Sequence, residues 1–199
     1  MKRALAVGIT ATALAVGACG ADSQPSDPSS STKMPVTETA EPVQPLQVEW
    51  APTTITLPGA DSATIVTIAT NKDGVLLPPE RLDRIGWWEA SDMPGDRVGG
   101  TIVMTGHING NGQVGFAKKF IGLQMGNVVT LSSADDAEAR YVVQAVEHYD
   151  KASGKLPTER LNRLQGPELL ALITCGGEFV GAPLGYADNI IAWATPAPA

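Results

Sequence analysis

Between Glu49 and the C-terminus, apolar residues recur in short alternating runs. Ile55-Thr56-Leu57-Pro58 and Ala63-Thr64-Ile65-Val66-Thr67-Ile68-Ala69 have the two-residue period of strands, and Asn71-Lys72-Asp73-Gly74 is a turn signal before Val75-Leu76-Leu77. Gly100-Thr101-Ile102-Val103-Met104-Thr105 and Asn127-Val128-Val129-Thr130-Leu131 predict two more strands, and the long alternating stretch Ala139 to Tyr149 reads as a hairpin partner. Leu169-Leu170-Ala171-Leu172-Ile173-Thr174-Cys175 is an apolar run of strand-compatible residues, and Asn189 to Ala194 closes the sheet. The connections predict a short helical turn opened by proline over Pro78 to Ile85 and a short helix or turn over Phe116 to Leu123. A polar segment from Lys151 to Gln165 is expected to be anchored by Leu156, Leu161 and Leu164, and Glu178 to Tyr186 is expected to be a loop. Many short strands with irregular connections indicate an all-β closed barrel or a sandwich.

The start of the chain has a different pattern. Met1-Lys2-Arg3 is positive and Ala4 to Gly17 is apolar and small, a signal peptide too short to span a membrane as a helix. Val16-Gly17-Ala18-Cys19 resembles a bacterial lipobox, which implies lipidation of Cys19 as the first mature residue; the bland reading is an ordinary cleaved signal peptide that contains a cysteine. The Ser-, Pro- and Thr-rich stretch up to Val48 has few residues able to form a core and is expected to be disordered. As a tether it holds a folded domain roughly tens of ångströms from the membrane, either as a tuned reach or as a plain spacer. The organisation expected is therefore a lipoprotein signal peptide over 1–18, a disordered linker over 19–48 beginning at the lipidated Cys19, and a β-barrel domain over 49–199.

Composition narrows the functional classes. Twenty-one acidic against 14 basic side chains give a net charge of −7, which disfavours a nucleic-acid partner because phosphate binding needs a basic footprint. The 21 Gly and 15 Pro fit a turn-rich β body with little long helix.

Candidate chemistry centres on Cys175. The apolar run drives into this cysteine and Gly176-Gly177 then break it, so Cys175 is expected at a strand's end, with backbone N–H groups free to approach a reacting carbonyl. The competing reading is a small hydrophobe in a core strand. With Cys19 lipidated, Cys175 has no disulfide partner in an exported protein, which favours a reactive thiol. A thiol nucleophile needs a base or cationic neighbour, and the two histidines are His107 and His148. His107 follows a strand and precedes the glycine-rich Asn109-Gly110-Asn111-Gly112, the setting of a functional loop; His148 lies within an alternating strand and reads as solvent-facing. Trp87 and Trp88 either pack on the body or line a groove, and the acidic Asp135-Asp136-Ala137-Glu138 reads as a solvated turn, its spacing matching no calcium loop.

Thr105-Gly106-His107 at one strand's end, Leu172-Ile173-Thr174-Cys175 in a later one, the following glycines, Gly86-Trp87-Trp88 and Asp188-Asn189-Ile190-Ile191 together resemble the sortases. The resemblance spans about residues 50 to 194 and is nearest to the actinobacterial class E or F types. It implies a closed eight-stranded β-barrel and a cysteine transpeptidase at a Gram-positive cell surface, with no cofactor or metal. Such an enzyme takes an LPXTG-like sorting-signal peptide, forms a thioacyl intermediate and passes the acyl group to an amine of a cell-wall precursor. Carried over, Cys175 is the nucleophile and His107 the general acid and base. Two features depart from the family. Its arginine, expected on or just before the strand after the cysteine, is missing, because no Arg or Lys follows Cys175; Asn189 falls near that place and Arg140 is a more remote substitute. The anchor is lipid in place of the usual transmembrane helix, placing the domain at the extracellular face of the cytoplasmic membrane. The missing arginine keeps open a second reading, a catalytically weakened peptide-binding or scaffold lipoprotein.

Overall fold

β-Branched and other apolar residues at alternate positions can bury one side only by facing a common interior, and the strands here do so by closing on themselves. The computed structural model describes residues 49–95 and 99–198. The expected signal peptide over 1–18, the lipidation at Cys19 and the linker through Val48 lie outside the described residues. Strands β1 (Thr54–Thr56), β2 (Ser62–Ile68), β3 (Arg84–Trp88), β4 (Thr101–Thr105), β7 (Val128–Ser132), β8 (Glu138–Asp150), β9 (Leu169–Gly181) and β10 (Gly185–Pro196) form the closed barrel. Its order is β1-β2-β3-β4-β9-β10-β8-β7. The pairs β2/β3 and β4/β9 are parallel and the rest antiparallel. The expected eight-stranded all-β barrel is the fold observed. A two-stranded ribbon of β5 (Asn109–Gly110) and β6 (Gln113–Val114) turns through Asn111 and Gly112, both at positive φ, directly after β4.

Parity along the strands decides what faces where. In β9, Leu170 and Leu172 belong to the barrel interior with Ile102 and Met104 of β4 and Ala192 of β10. Ala171 instead packs on the outside with Val103, Ile191 and Trp193, under Leu161 of helix α1 (Thr158–Leu161) and with Ile173 beside it. Both faces of β9 are covered, which is why its sequence reads as an unbroken apolar run. Continuing the alternation, Thr174 points inward, where its Oγ1 donates to the carbonyl of Gly106 at 3.0 Å, and Cys175 shares the outer face with Ala171 and Ile173.

Trp193 anchors this outer layer. It is fully buried, its Nε1 donates to Glu147 Oε2 at 2.8 Å, and the Arg160 guanidinium lies 3.8 Å over its ring. Trp193→Ala is expected to destabilise the fold by about 3–5 kcal/mol, the usual cost of emptying a large aromatic site. Urea denaturation monitored by far-UV dichroism checks this.

Four expectations about local structure are corrected. Pro78 to Ile85 is not helical: the prolines keep the chain extended and Arg81–Asp83 form an exposed ion pair at a turn. Ile85 and Trp87 then bury themselves by joining β3, a tertiary gain that a four-residue helical signal cannot match. Glu178 to Tyr186 is no open loop but the distal part of the β9–β10 hairpin, with Phe179 paired to Tyr186 and their rings 5.3 Å apart edge to face. Gly177, at φ +75°, supplies an irregularity that lets β9 continue past Cys175, where a break had been expected. Leu164 is 63% exposed and anchors nothing, because α1 ends at Leu161 and that residue occupies the apolar slot.

Candidate functional site

The site forms where two parallel neighbours have unequal lengths. β4 and β9 run side by side with Thr105 opposite Ile173, and Gly106 N still donates to Ile173 O at 3.2 Å. β4 stops there while β9 goes on, so Cys175 stands beside a missing neighbour and not at its own strand's end. Beyond that pair the ladder ends: Gly106 O accepts from Thr174 Oγ1 at 3.0 Å, and His107 and Cys175 each come two residues after the last matched pair. Both side chains are partly exposed, and Cys175 is the free cysteine among the described residues.

Glycines make this approach possible. A Cβ on Gly106 would stand 2.6 Å from Ile85 Cδ1 and 2.8 Å from Ala117 Cβ, so the residue between Thr105 and His107 has room only for hydrogen. Gly115 is tighter still: its Cβ would meet the His107 carbonyl oxygen at 2.0 Å and the carbonyl carbon at 2.9 Å, contacts with backbone that cannot swing aside. The β5–β6 ribbon thus folds back against His107 through a position that must be glycine. Gly115→Ala is expected to displace His107 and lower turnover by roughly a hundredfold, the penalty for moving a reacting group by about an ångström. A measured kcat with the melting temperature held as a control separates this from unfolding.

On the other side of Cys175, register gives the second neighbour. Asn189 of β10 pairs directly with Cys175 and, across its other edge, with Tyr149 of β8. Directly opposed residues share a face with Cβ atoms about 5 Å apart, so Cys175, Asn189 and Tyr149 form one row on the barrel's outer surface. Tyr149 donates to Glu147, and its phenol is held above the ordinary tyrosine range, chiefly by burial and then by that hydrogen bond. It keeps its proton at neutral pH.

Two residues beyond Tyr149, just past the end of β8, comes Lys151, which nothing in the sequence marks as functional. Its Nζ donates to Cys175 Sγ at 3.5 Å and to the Leu184 carbonyl at 3.2 Å. The sequence offers Asn189 and Arg140 in the arginine's place, whereas the cation at the sulfur directly follows β8 and meets the cysteine only through the β8-β10-β9 order. Arg140 is no substitute, since it lies opposite Thr130 at the other end of β8, about 30 Å along the strand from Tyr149 at ~3.3 Å per residue. His148 faces away from this row and is exposed, its Nδ1 3.5 Å from Asp188 Oδ2.

A cavity of about 670 Å³ opens beside the row. Cys175, Asn189, Thr105 and Gly106 line its mouth, and Val75, Leu76, Trp88, Leu156 and Ile173 line its apolar wall. Trp87, by contrast, packs in the barrel interior, so the two tryptophans divide the alternatives between them. Tyr186 and Asn109 tie the hairpin to the ribbon after His107, Asn109 Nδ2 donating to the phenolic oxygen at 2.6 Å. Asp135 and Asp136 sit in the β7–β8 turn, where Ser133 Oγ accepts from the N–H groups of Asp135 and Ala137. Among the described residues no cluster of three His, Cys, Asp or Glu side chains is placed to hold a metal ion, and no helix is long and apolar enough to cross a membrane.

A thiol with an amide residue opposite it in the sheet and an ammonium 3.5 Å from its sulfur, beside an open apolar groove, is suited to covalent acyl transfer. Comparisons with known proteins point the same way. The sortase domain model matches residues 55–197. Sortase C-1 from Actinomyces oris superposes with a TM-score of 0.53 at 21% identity, over 73% of this chain and 71% of that one. Sortase A from Corynebacterium diphtheriae gives 0.53 at 18% identity, covering 76% and 63%, and sortase C from Clostridium perfringens SM101 gives 0.51 at 16%, covering 77% and 73%. No curated protein sequence matches the chain. The family model, spanning most of the barrel domain and ending beyond both candidate motifs, shows that this chain belongs to the sortases, a family of cysteine transpeptidases.

Proposed function

We propose that the protein cleaves an LPXTG-like sorting signal through a thioacyl-enzyme on Cys175 and transfers the acyl group to an amine of the cell wall. The observation that supports this reading is the parallel β4/β9 register, whose last matched pair, Thr105 and Ile173, lies two residues before His107 and Cys175, next to a groove that Cys175 lines. In the first step the Cys175 thiolate attacks the scissile carbonyl carbon, a C–S bond forms and the carbonyl oxygen takes up the negative charge. As the intermediate collapses, the C–N bond breaks and His107 gives its proton to the departing amine. In the second step the incoming amine attacks the thioester and gives a proton back to His107, and the C–S bond breaks to release the thiolate. Asn189, opposite Cys175, is the neutral hydrogen-bond donor to the substrate in this scheme. The apolar wall around Leu76, Trp88 and Leu156 suits the aliphatic Leu-Pro part of such a signal.

The finer assignments belong to the same proposal. The chain is of the class E or F type, is exported and is lipidated at Cys19, and its barrel works at the extracellular face of the cytoplasmic membrane at the end of its linker. The lipobox-like Val16-Gly17-Ala18-Cys19 supports this placement.

The test incubates the domain with a panel of sorting-signal peptides and an amine nucleophile, and identifies products by mass spectrometry. Ligation of the N-terminal fragment to the amine supports transpeptidation. Release of the free acid alone identifies a peptidase that shares the acyl-enzyme. Peptide binding without cleavage, against a sequence with no arginine after the cysteine, identifies the weakened binding module instead.

A further inference from the structure

The ammonium of Lys151 stands against the sulfur of Cys175. Lys151 directly follows β8, at the start of a short 3-10 turn over Lys151–Ser153, two residues beyond Tyr149 of the row with Asn189 and Cys175. Its ammonium contacts the sulfur at 3.5 Å and is held there by a second bond, at 3.2 Å, to the carbonyl of Leu184 in the β9–β10 hairpin. An ammonium has three donors, and these contacts use two. Among the described residues no carboxylate lies within ion-pair distance of Lys151: the neighbouring Asp150 accepts from Ala152 N, and Asp188 faces His148. The charge is therefore fixed in position and not neutralised by an acid. A cation of this kind is unusual for a surface lysine, whose flexible stem normally leaves the head group in water.

We propose that Lys151 is a catalytic residue of the acyl transfer, supplying the positive charge that stabilises the oxyanion. The argument rests on the function proposed above and adds to it the source of the charge. When Cys175 Sγ bonds to the substrate carbonyl carbon, the oxyanion lies two bonds from the sulfur, so a cation already touching Sγ is within reach of it. The third N–H is the one available for that oxygen. On this reading no arginine is required after Cys175, because β8 delivers the charge from the opposite edge of β10. Asn189, between them in the sheet, adds a neutral donor to the same row.

The test compares wild type with Lys151→Met, Lys151→Arg and, as a control, Lys155→Met, which alters an exposed lysine in the same connection. Acyl-enzyme formation is followed with a sorting-signal peptide, and Cys175 alkylation by iodoacetamide is followed without peptide. Lys151→Met is expected to lower kcat by roughly a hundredfold to a thousandfold, as loss of an oxyanion donor does, with a smaller change in KM and an unchanged melting temperature. Lys151→Arg, which keeps the charge, is expected to recover most of the rate, and Lys155→Met to match wild type. A Lys151→Met enzyme within threefold of wild type, or one that Lys151→Arg fails to improve upon, overturns the assignment and leaves the transpeptidase reading intact. If wild type acylates with no peptide, it is the transpeptidase reading that fails. Alkylation still decides the placement of Lys151 in that case: several-fold slower reaction in Lys151→Met supports the ammonium–sulfur contact, and an equal rate overturns it.

Discussion

Cys175→Ala is expected to abolish the acyl-enzyme and to reduce turnover by on the order of a millionfold, the scale seen when the nucleophile of a covalent enzyme is removed. The size follows from the chemistry. Without Sγ there is no atom to which the acyl group can be attached, and the remaining groups only hold a peptide near water. The protein itself should survive the change. Cys175 is partly exposed on the outer face, and its sulfur packs at the mouth of a cavity and not in the barrel interior, so the melting temperature is expected to stay near that of wild type. Loss of activity with loss of fold would point to a structural cysteine. Intact-mass analysis after incubation with peptide, together with a thermal melt, separates the two.

The second large effect is expected at His107. His107→Ala removes the group that protonates the leaving amine, and the usual contribution of a positioned general acid or base is about a hundredfold to ten-thousandfold. The loss should fall mainly on kcat, because the proposed role of His107 is proton transfer while the apolar wall of the groove is built from other residues. A substrate with an activated leaving group, which needs little help from an acid, is expected to recover much of the acylation rate. His148→Ala is the natural comparison: its side chain is exposed and faces Asp188, away from the row that contains Cys175, and turnover should change little. Equal losses in the two variants would contradict the assignment of the imidazole.

The strands were legible because their burial is periodic. Ile55, Ala63, Ile65, Met104, Val129 and Leu131 are interior residues at alternate positions, and the apolar run of β9 marked a strand, whose two covered faces the structure explains. His107 and Cys175 stand out in the sequence for a related reason, since each comes at the end of an apolar run next to glycine, although β9 itself continues past Cys175. What the sequence could not carry was long-range register. Nothing near Lys151 in the chain says that β8 will lie one strand away from β9, or that Tyr149, Asn189 and Cys175 will align in a row. Gly177 misled for a local reason: a glycine at positive φ ends many strands, but here it forms an irregularity inside a hairpin whose pairing resumes at Phe179 and Tyr186. The helical signal at Pro78 to Ile85 failed because burial of Ile85 and Trp87 outweighs a short local preference. Gly115, 60 residues before Cys175, reads as an ordinary turn glycine until its contact with the His107 carbonyl is seen.

The most direct measurement is peptide mapping of the intermediate trapped by rapid acid quench during turnover of a sorting-signal peptide. The account predicts a thioester on Cys175 carrying the N-terminal part of the signal, formed together with release of the C-terminal fragment and more abundant when the acceptor amine is withheld. Cleavage of the peptide with Cys175 unmodified throughout, or an acyl group carried by any other residue, would contradict it.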